Sequence, residues 1–141
     1  MRRILLALSI TAGAVGGMTL AHHDEHGKGN VKVLSQKEIA EKVDGKKAKA
    51  TIVEVTLAPG EVEAAHRHPG PAFGYILEGE YEWAIDGKSA RTFKAGDTFY
   101  EPTGCLHDVG RNPSKTNKAR FIAIVLHPED AKEVVIPEKK E

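Results

Sequence analysis

From Ala48 to His127 the chain runs in short β-branched and aromatic segments, each soon cut off by a Gly, Pro, Asp or Asn turn. Residues 51–57 (TIVEVTL) are rich in β-branched side chains, partly alternate polar with apolar, and end at Pro59-Gly60. Tyr75-Ile76-Leu77 and residues 80–85 flank a turn at Glu78-Gly79. Asp86-Gly87 is a hairpin signal, because that pair tolerates the positive φ of a type I′ loop. Further strands are expected at residues 90–93, 98–100, 106–109 and 120–127. Ala95-Gly96-Asp97, Pro102-Thr103-Gly104 and Asn112-Pro113-Ser114 separate them. Short strands at this spacing, with no long helix between them, predict an all-β antiparallel sandwich or barrel. No internal repeat is present.

The ends are different in character. Met1-Arg2-Arg3 gives a positive start, ILLALSITAGAV an apolar stretch, and Thr19-Leu20-Ala21 a small-x-small cleavage signal. That is the layout of a secretory signal peptide over residues 1–21, with an uncleaved anchor as the rival reading. The apolar run is short and glycine-broken for a membrane span, so no stable span is expected after cleavage near Ala21. The expected location is periplasmic or secreted. Residues 22–47 read as a flexible leader, in which Ser35 could cap one or two helical turns over residues 36–43 (QKEIAEKV). Residues 48–128 form the barrel, and residues 129–141 a charged tail, short helix or extended.

Charge and cysteine content remove whole classes of function. Without Arg2 and Arg3 the chain carries 18 basic and 20 acidic side chains, interleaved and without a basic stripe. Nucleic acid is therefore not an expected partner. One cysteine, Cys105, excludes an internal disulfide and any thiolate-clustered zinc or iron–sulfur site.

The residues that carry chemistry are histidines. Side chains at i and i+2 of a strand share a face, so His66 and His68 project together while Arg67 points away. Inside a barrel, two imidazoles need partners for their ring nitrogens, and a divalent metal satisfies both at once. His107, in PTGCLH, follows a later turn, and an antiparallel barrel could bring its strand beside the first.

These residues resemble the cupin superfamily, in particular the small single-domain cupins grouped with quercetin-dioxygenase-like proteins. Gly60, His66, His68 and Gly79 fit the family's first motif, G-x5-H-x-H-x3–4-E-x6-G, followed by YILEGEYEW. Gly96, Pro102, Gly104 and His107 fit the second, G-x5-P-x-G-x2-H-x3-N, although Asn112 arrives one residue late and Arg111 stands in its place. The resemblance covers residues 51–127. It implies a cupin-type β-barrel (a double-stranded β-helix, or jelly roll) and, at the sheet edges, a homodimer. The glutamate of the first motif is missing: that position holds Ala72, and a gap longer by one gives Phe73.

The implied ligand set is then three neutral imidazoles, His66, His68 and His107, as in the thiol dioxygenases. They would hold one divalent ion, iron if the site is catalytic, with copper, nickel, zinc or manganese also compatible. Such an ion keeps its full charge and about three open positions if six-coordinate, which suits a small oxygen-bearing ligand. The expected function is thus an exported metal-binding cupin, a dioxygenase-type oxidoreductase if it turns substrate over. The alternatives are a non-catalytic binding or sensing module, a barrel that lost its metal with its glutamate, and Lewis-acid isomerase chemistry.

Other candidates carry less. Cys105 lies two residues before His107 and is either an apolar filler or a thiol aimed at the site. Tyr100 and Glu101, at the expected barrel mouth, are candidates for proton transfer or for supporting the ligands. Tyr75, Trp83, Phe93, Phe99, Tyr100 and Phe121 are core candidates. In the leader, HHDEH could chelate copper or nickel through a new N-terminus at His22 together with His23, or bind metal only adventitiously.

Overall fold

The computed structural model describes residues 30–139. The expected signal peptide, its cleavage near Ala21 and the His22–His23 chelate lie outside the described residues. Ten strands make two five-stranded sheets, and no helix occurs among the described residues. The strands are β1 (Asn30–Val43), β2 (Lys46–Leu57), β3 (His66–Arg67), β4 (Ala72–Glu78), β5 (Glu80–Ile85), β6 (Arg91–Lys94), β7 (Thr98–Glu101), β8 (His107–Arg111), β9 (Ala119–Pro128) and β10 (Ile136–Pro137). One sheet has the order β1-β2-β9-β4-β7 and the other β10-β3-β8-β5-β6, with every pairing antiparallel.

The helix expected over residues 36–43 does not form, and the leader is ordered strand from Asn30 onward. Asp44 and Gly45 both take positive φ, 50° and 73°, and close a two-residue hairpin between Val43 and Lys46. The long β2 then offers β1 a continuous ladder, and tertiary pairing overrides a weak helical preference. The tail is the extended alternative. It returns as β10 beside β3.

The interior follows from alternation. On β4, Ala72, Gly74 and Ile76 face inward while Phe73, Tyr75 and Leu77 face water. On β7, Phe99 and Glu101 face inward, so Tyr100 cannot. Tyr75 and Tyr100, expected in the core, are about half exposed on the outer face of this sheet. Small residues on β4 meet large ones on β7: Gly74 is opposite Phe99 and Ala72 opposite Glu101. A Cβ on Gly74 would lie 2.0 Å from the Phe99 ring, so only glycine admits that ring. Phe99 packs with Trp83, Phe93, Tyr81, Phe121, Leu57 and Ile76 into one apolar core.

The late asparagine of the second motif has a structural reason. Between Ala84↔Val109 and Ile85↔His107 the register slips, leaving Asp108 as an extra residue in β8. This bulge takes up the additional position. Asn112, 1% exposed, then donates to the carbonyls of Leu57, Ala58 and Asn117 and accepts from the Ser114 amide. It ties the end of β8 to the turns after β2 and before β9.

Candidate metal centre

The three histidines are neighbours, with His66 between the other two. His66 on β3 pairs directly with His107 on β8, and His68 follows β3 in the next inward position. The ring of His66 lies 4.9 Å from that of His68 and 4.7 Å from that of His107, edge-on to both. Arg67 points outward, as alternation requires, to Glu138 and the Gly104 carbonyl.

Each ring is oriented by a backbone carbonyl. His66 Nδ1 donates to Ala64 O at 2.9 Å, His68 Nδ1 to Val134 O at 2.6 Å, and His107 Nε2 to Val109 O at 2.8 Å. A carbonyl only accepts, so these nitrogens carry the hydrogens, and in the neutral form of each ring the opposite nitrogen carries a lone pair. Two of those opposite nitrogens, on His66 and His107, face one another, and that of His68 faces Glu101. His66 Nε2 is 3.3 Å from His107 Nδ1, a contact between two acceptors when both rings are neutral.

Glu101 completes the group. Only 3% exposed, it accepts from Trp83 Nε1 at 3.0 Å through Oε1, while its buried Oε2 has no hydrogen-bond partner. Oε2 is 3.4 Å from His68 Nε2, and Oε1 is 3.7 Å from His107 Nδ1. Burial raises the Glu101 carboxyl above the usual carboxylate range, opposed by the Trp83 hydrogen bond and the nearby His66. Burial also lowers His68, against the Val134 carbonyl, and takes His107 down to about 3, helped by the neighbouring His66. A neutral imidazole is the form that ligates.

Sequence reasoning did not single out Glu63 or Tyr81. The buried Tyr81 hydroxyl donates to Glu63 Oε2 at 2.5 Å and stands 3.3 Å from His107 Nε2. The chain His107–Tyr81–Glu63 holds the His107 ring from the side away from the other histidines. Burial, then the Glu63 charge, raises the phenol well above its ordinary value, so it stays a donor. Desolvation also raises Glu63 despite the Tyr81 bond. Gly110 makes room, since a Cβ there would lie 2.6 Å from Glu63 Oε2 and 2.9 Å from the His107 ring.

Of the weaker candidates, Glu101 is at the centre and Tyr100 is not. Tyr100 is turned to the opposite face of β7, stacked 5.1 Å from Phe73. Cys105 lies in the apolar core cluster, and burial pushes its thiol up to about 11, with Glu101 adding to the shift. That is the environment of a filler, not of a nucleophile.

Among the described residues, no three His, Cys, Asp or Glu side chains stand in closed ligand geometry. Donor chemistry and pairwise spacing nevertheless fit a metal. Donors about 2.1 Å from one ion stand about 3.0 Å apart at right angles and about 3.4 Å apart at tetrahedral angles. The His66–His107 and His68–Glu101 separations, 3.3 and 3.4 Å, fall in or beside that range.

Two facing antiparallel sheets with a histidine cluster define a double-stranded β-helix barrel. Residues 53–125, just over half of the chain, match the cupin domain, and the chain belongs to that family. It is 38% identical over 87 residues to oryzines biosynthesis cluster protein J of Aspergillus oryzae, covering 62% of this chain and 46% of that protein. The chain thus spans under half the length of this curated relative. An uncharacterized conserved protein with a double-stranded beta-helix domain from Klebsiella pneumoniae superposes with a TM-score of 0.60 at 19% identity, covering 79% of this chain and 87% of that one. A cupin-like protein from Thermotoga maritima gives 0.54 at 16% identity, covering 74% and 87%. An oxalate oxidase in complex with the substrate analogue glycolate gives 0.50 at 24%, covering 88% and 70%. At these identities the likeness is one of fold.

Proposed function

We propose that this cupin binds one divalent metal ion through His66, His68 and His107 and uses it to take a small oxygen-bearing ligand. The observation that carries this reading is a buried cluster made only of acceptors. With the rings neutral and Glu101 ionised, three backbone carbonyls fix the tautomers so that His66 Nε2, His68 Nε2 and His107 Nδ1 keep their lone pairs without a donor. A buried acceptor without a donor costs about 1–3 kcal/mol, so such a cluster is unfavourable unless a cation enters it. A bound ion would supply Lewis acidity, redox capacity and open positions for an oxygen ligand.

The chain's own residues prepare and protect the site. The carbonyls of Ala64, Val134 and Val109 hold the rings, and Tyr81, anchored on Glu63, adds a second hold on His107. Trp83, Phe99 and Phe121 exclude water from the inner side. Kinship to a biosynthesis cluster protein supports turnover over passive storage, and oxygen-dependent oxidation with iron is the proposed chemistry. In the same reading residues 1–21 are removed on export and the chain acts as a homodimer. The exposed Phe73, Tyr75, Tyr100 and Ile124 on one sheet face would favour association.

Metal analysis of protein purified without an affinity tag, with oxygen uptake on a catechol, flavonol and thiol panel, tests the proposal. One iron per chain with uptake on one class supports the enzyme. One ion without uptake reduces it to a binding module, and a fully folded wild type that takes up no metal overturns it.

A further inference from the structure

We propose that Glu101 supplies the anionic ligand of the histidine centre, delivering from β7 the carboxylate that the first motif would carry on β4 at Ala72. The inference rests on the metal-binding reading above and adds a fourth ligand to it. Its basis is register. Ala72 and Glu101 are directly opposite one another on neighbouring strands, and both side chains point into the barrel.

Directly paired residues on one face have Cβ atoms about 5 Å apart, within the reach of a glutamate side chain. A carboxylate rooted at residue 101 can therefore occupy the space that one rooted at residue 72 would use. The two would collide if both were present. Alanine at residue 72, 1% exposed, is the small partner that leaves this space to Glu101.

The carboxylate is held as a ligand would be. Trp83 Nε1–H fixes Oε1, leaving Oε2 as a buried oxygen without a donor, turned toward His68. Glu101 is also the link between rings that do not otherwise touch through nitrogen. It reaches His68 with one oxygen and His107 with the other, and His107 meets His66. A structural glutamate buried for packing would be expected to use both oxygens on donors. This one uses one.

The chemical consequence is a three-nitrogen, one-oxygen set. It lowers the net charge of a divalent centre from +2 to +1 and leaves about two open positions if six-coordinate. Oxygen ligation moves the preference toward iron or manganese and away from the copper favoured by imidazoles alone. The apparent loss of the motif glutamate is then a relocation by one strand.

Manganese(II) is a suitable probe, since its binding is read by electron paramagnetic resonance without turnover. The wild type should bind one ion per chain. Glu101→Gln keeps an acceptor for Trp83 and should weaken that binding by at least about tenfold, with a metal-free melting temperature equal to wild type or higher. A crystal structure of the manganese-loaded wild type gives a second test that needs no variant: a Glu101 oxygen should lie about 2.2 Å from the ion. Unchanged affinity in Glu101→Gln, or a loaded structure with Glu101 outside ligand distance, overturns the inference and leaves the three-histidine site standing. A wild type that binds no manganese, iron or other divalent ion removes the underlying reading instead.

Discussion

The two sheets of this barrel are built to different standards. In the first, β2 and β9 pair through ten consecutive residues without a slip, a regular centre flanked by shifts in the β1–β2 and β4–β9 pairings. In the second, β3 holds β8 through one pair, His66↔His107, and β8 is bulged at Asp108. The regular sheet contributes most of the apolar wall; the irregular sheet carries the three histidines. Regular pairing leaves backbone groups satisfied by neighbours. Irregular pairing frees the carbonyls of Ala64 and Val109 to hold imidazoles. The lesson is a division of labour: stability resides where pairing is long, and chemistry where it is interrupted.

Substitutions should separate the two roles. Leu57→Ala in the regular sheet removes a side chain that is 0% exposed and should cost about 3 kcal/mol in urea unfolding. His66→Gln in the irregular sheet supplies an N–H to His107 Nδ1. It should leave metal-free stability equal to wild type or higher while abolishing metal uptake. Equal losses of stability in both variants would break the contrast.

The second prediction concerns pH. In the metal-free protein the His107 pKa is depressed to about 3 from the ordinary 6.5 by burial. A depressed base contributes stability above its unfolded pKa and loses it as pH falls. The unfolded chain takes up the proton first, so stability should decline below pH 6.5 and go on declining toward pH 3. The slope from one such group is at most about 1.4 kcal/mol per pH unit. The raised carboxyls of Glu63 and Glu101 oppose it, because as pH falls they take up a proton in the folded state before they do in the unfolded chain. Comparing chelated wild type with His107→Gln isolates the histidine contribution. The variant should show the shallower fall on the acid side.

Two smaller effects sharpen the comparison. Gly45→Ala strains the +73° φ at the tip of the β1–β2 hairpin, far from the histidines in sequence, and should cost about 1 kcal/mol in thermal or urea unfolding, without altering metal affinity. Tyr100→Phe, on the outer face of β7, should change stability by less than about 0.5 kcal/mol and leave metal binding as it is. A large loss of metal affinity in Tyr100→Phe would mean that the inward and outward faces of β7 are wrongly assigned.

Much of this arrangement was legible in the sequence, for reasons that differ by element. The strand core from residue 48 to 128 was legible because its turns are marked by Gly, Pro and Asp. Asp86-Gly87 was read as a positive-φ pair, and Asp86 does take φ 53°. The same dipeptide at Asp44-Gly45 follows a stretch that reads locally as one or two helical turns, so its surroundings do not mark it as a hairpin. What makes β1 a strand is β2, which lies beyond any local window. The histidines were legible because their spacing of two is itself a strand signal. Tyr100 and Glu101 are neighbours on one strand, and alternation admits only Glu101 to the interior. Tyr81 shares its inward face with Trp83 on β5, and an inward phenol needs a partner for its hydroxyl. That requirement could have marked it. Glu63 stands outside the named strands, and no local pattern marks its reach to Tyr81.

The most direct test of the central claim is X-ray absorption at the edge of the bound metal, which counts coordinated imidazole rings from their outer-shell scattering. Wild type should give three rings per ion, and a folded His107→Ala variant that still retains some metal should give two. A wild-type count of one or none, or a count unchanged by the variant, would contradict an ion held jointly by His66, His68 and His107.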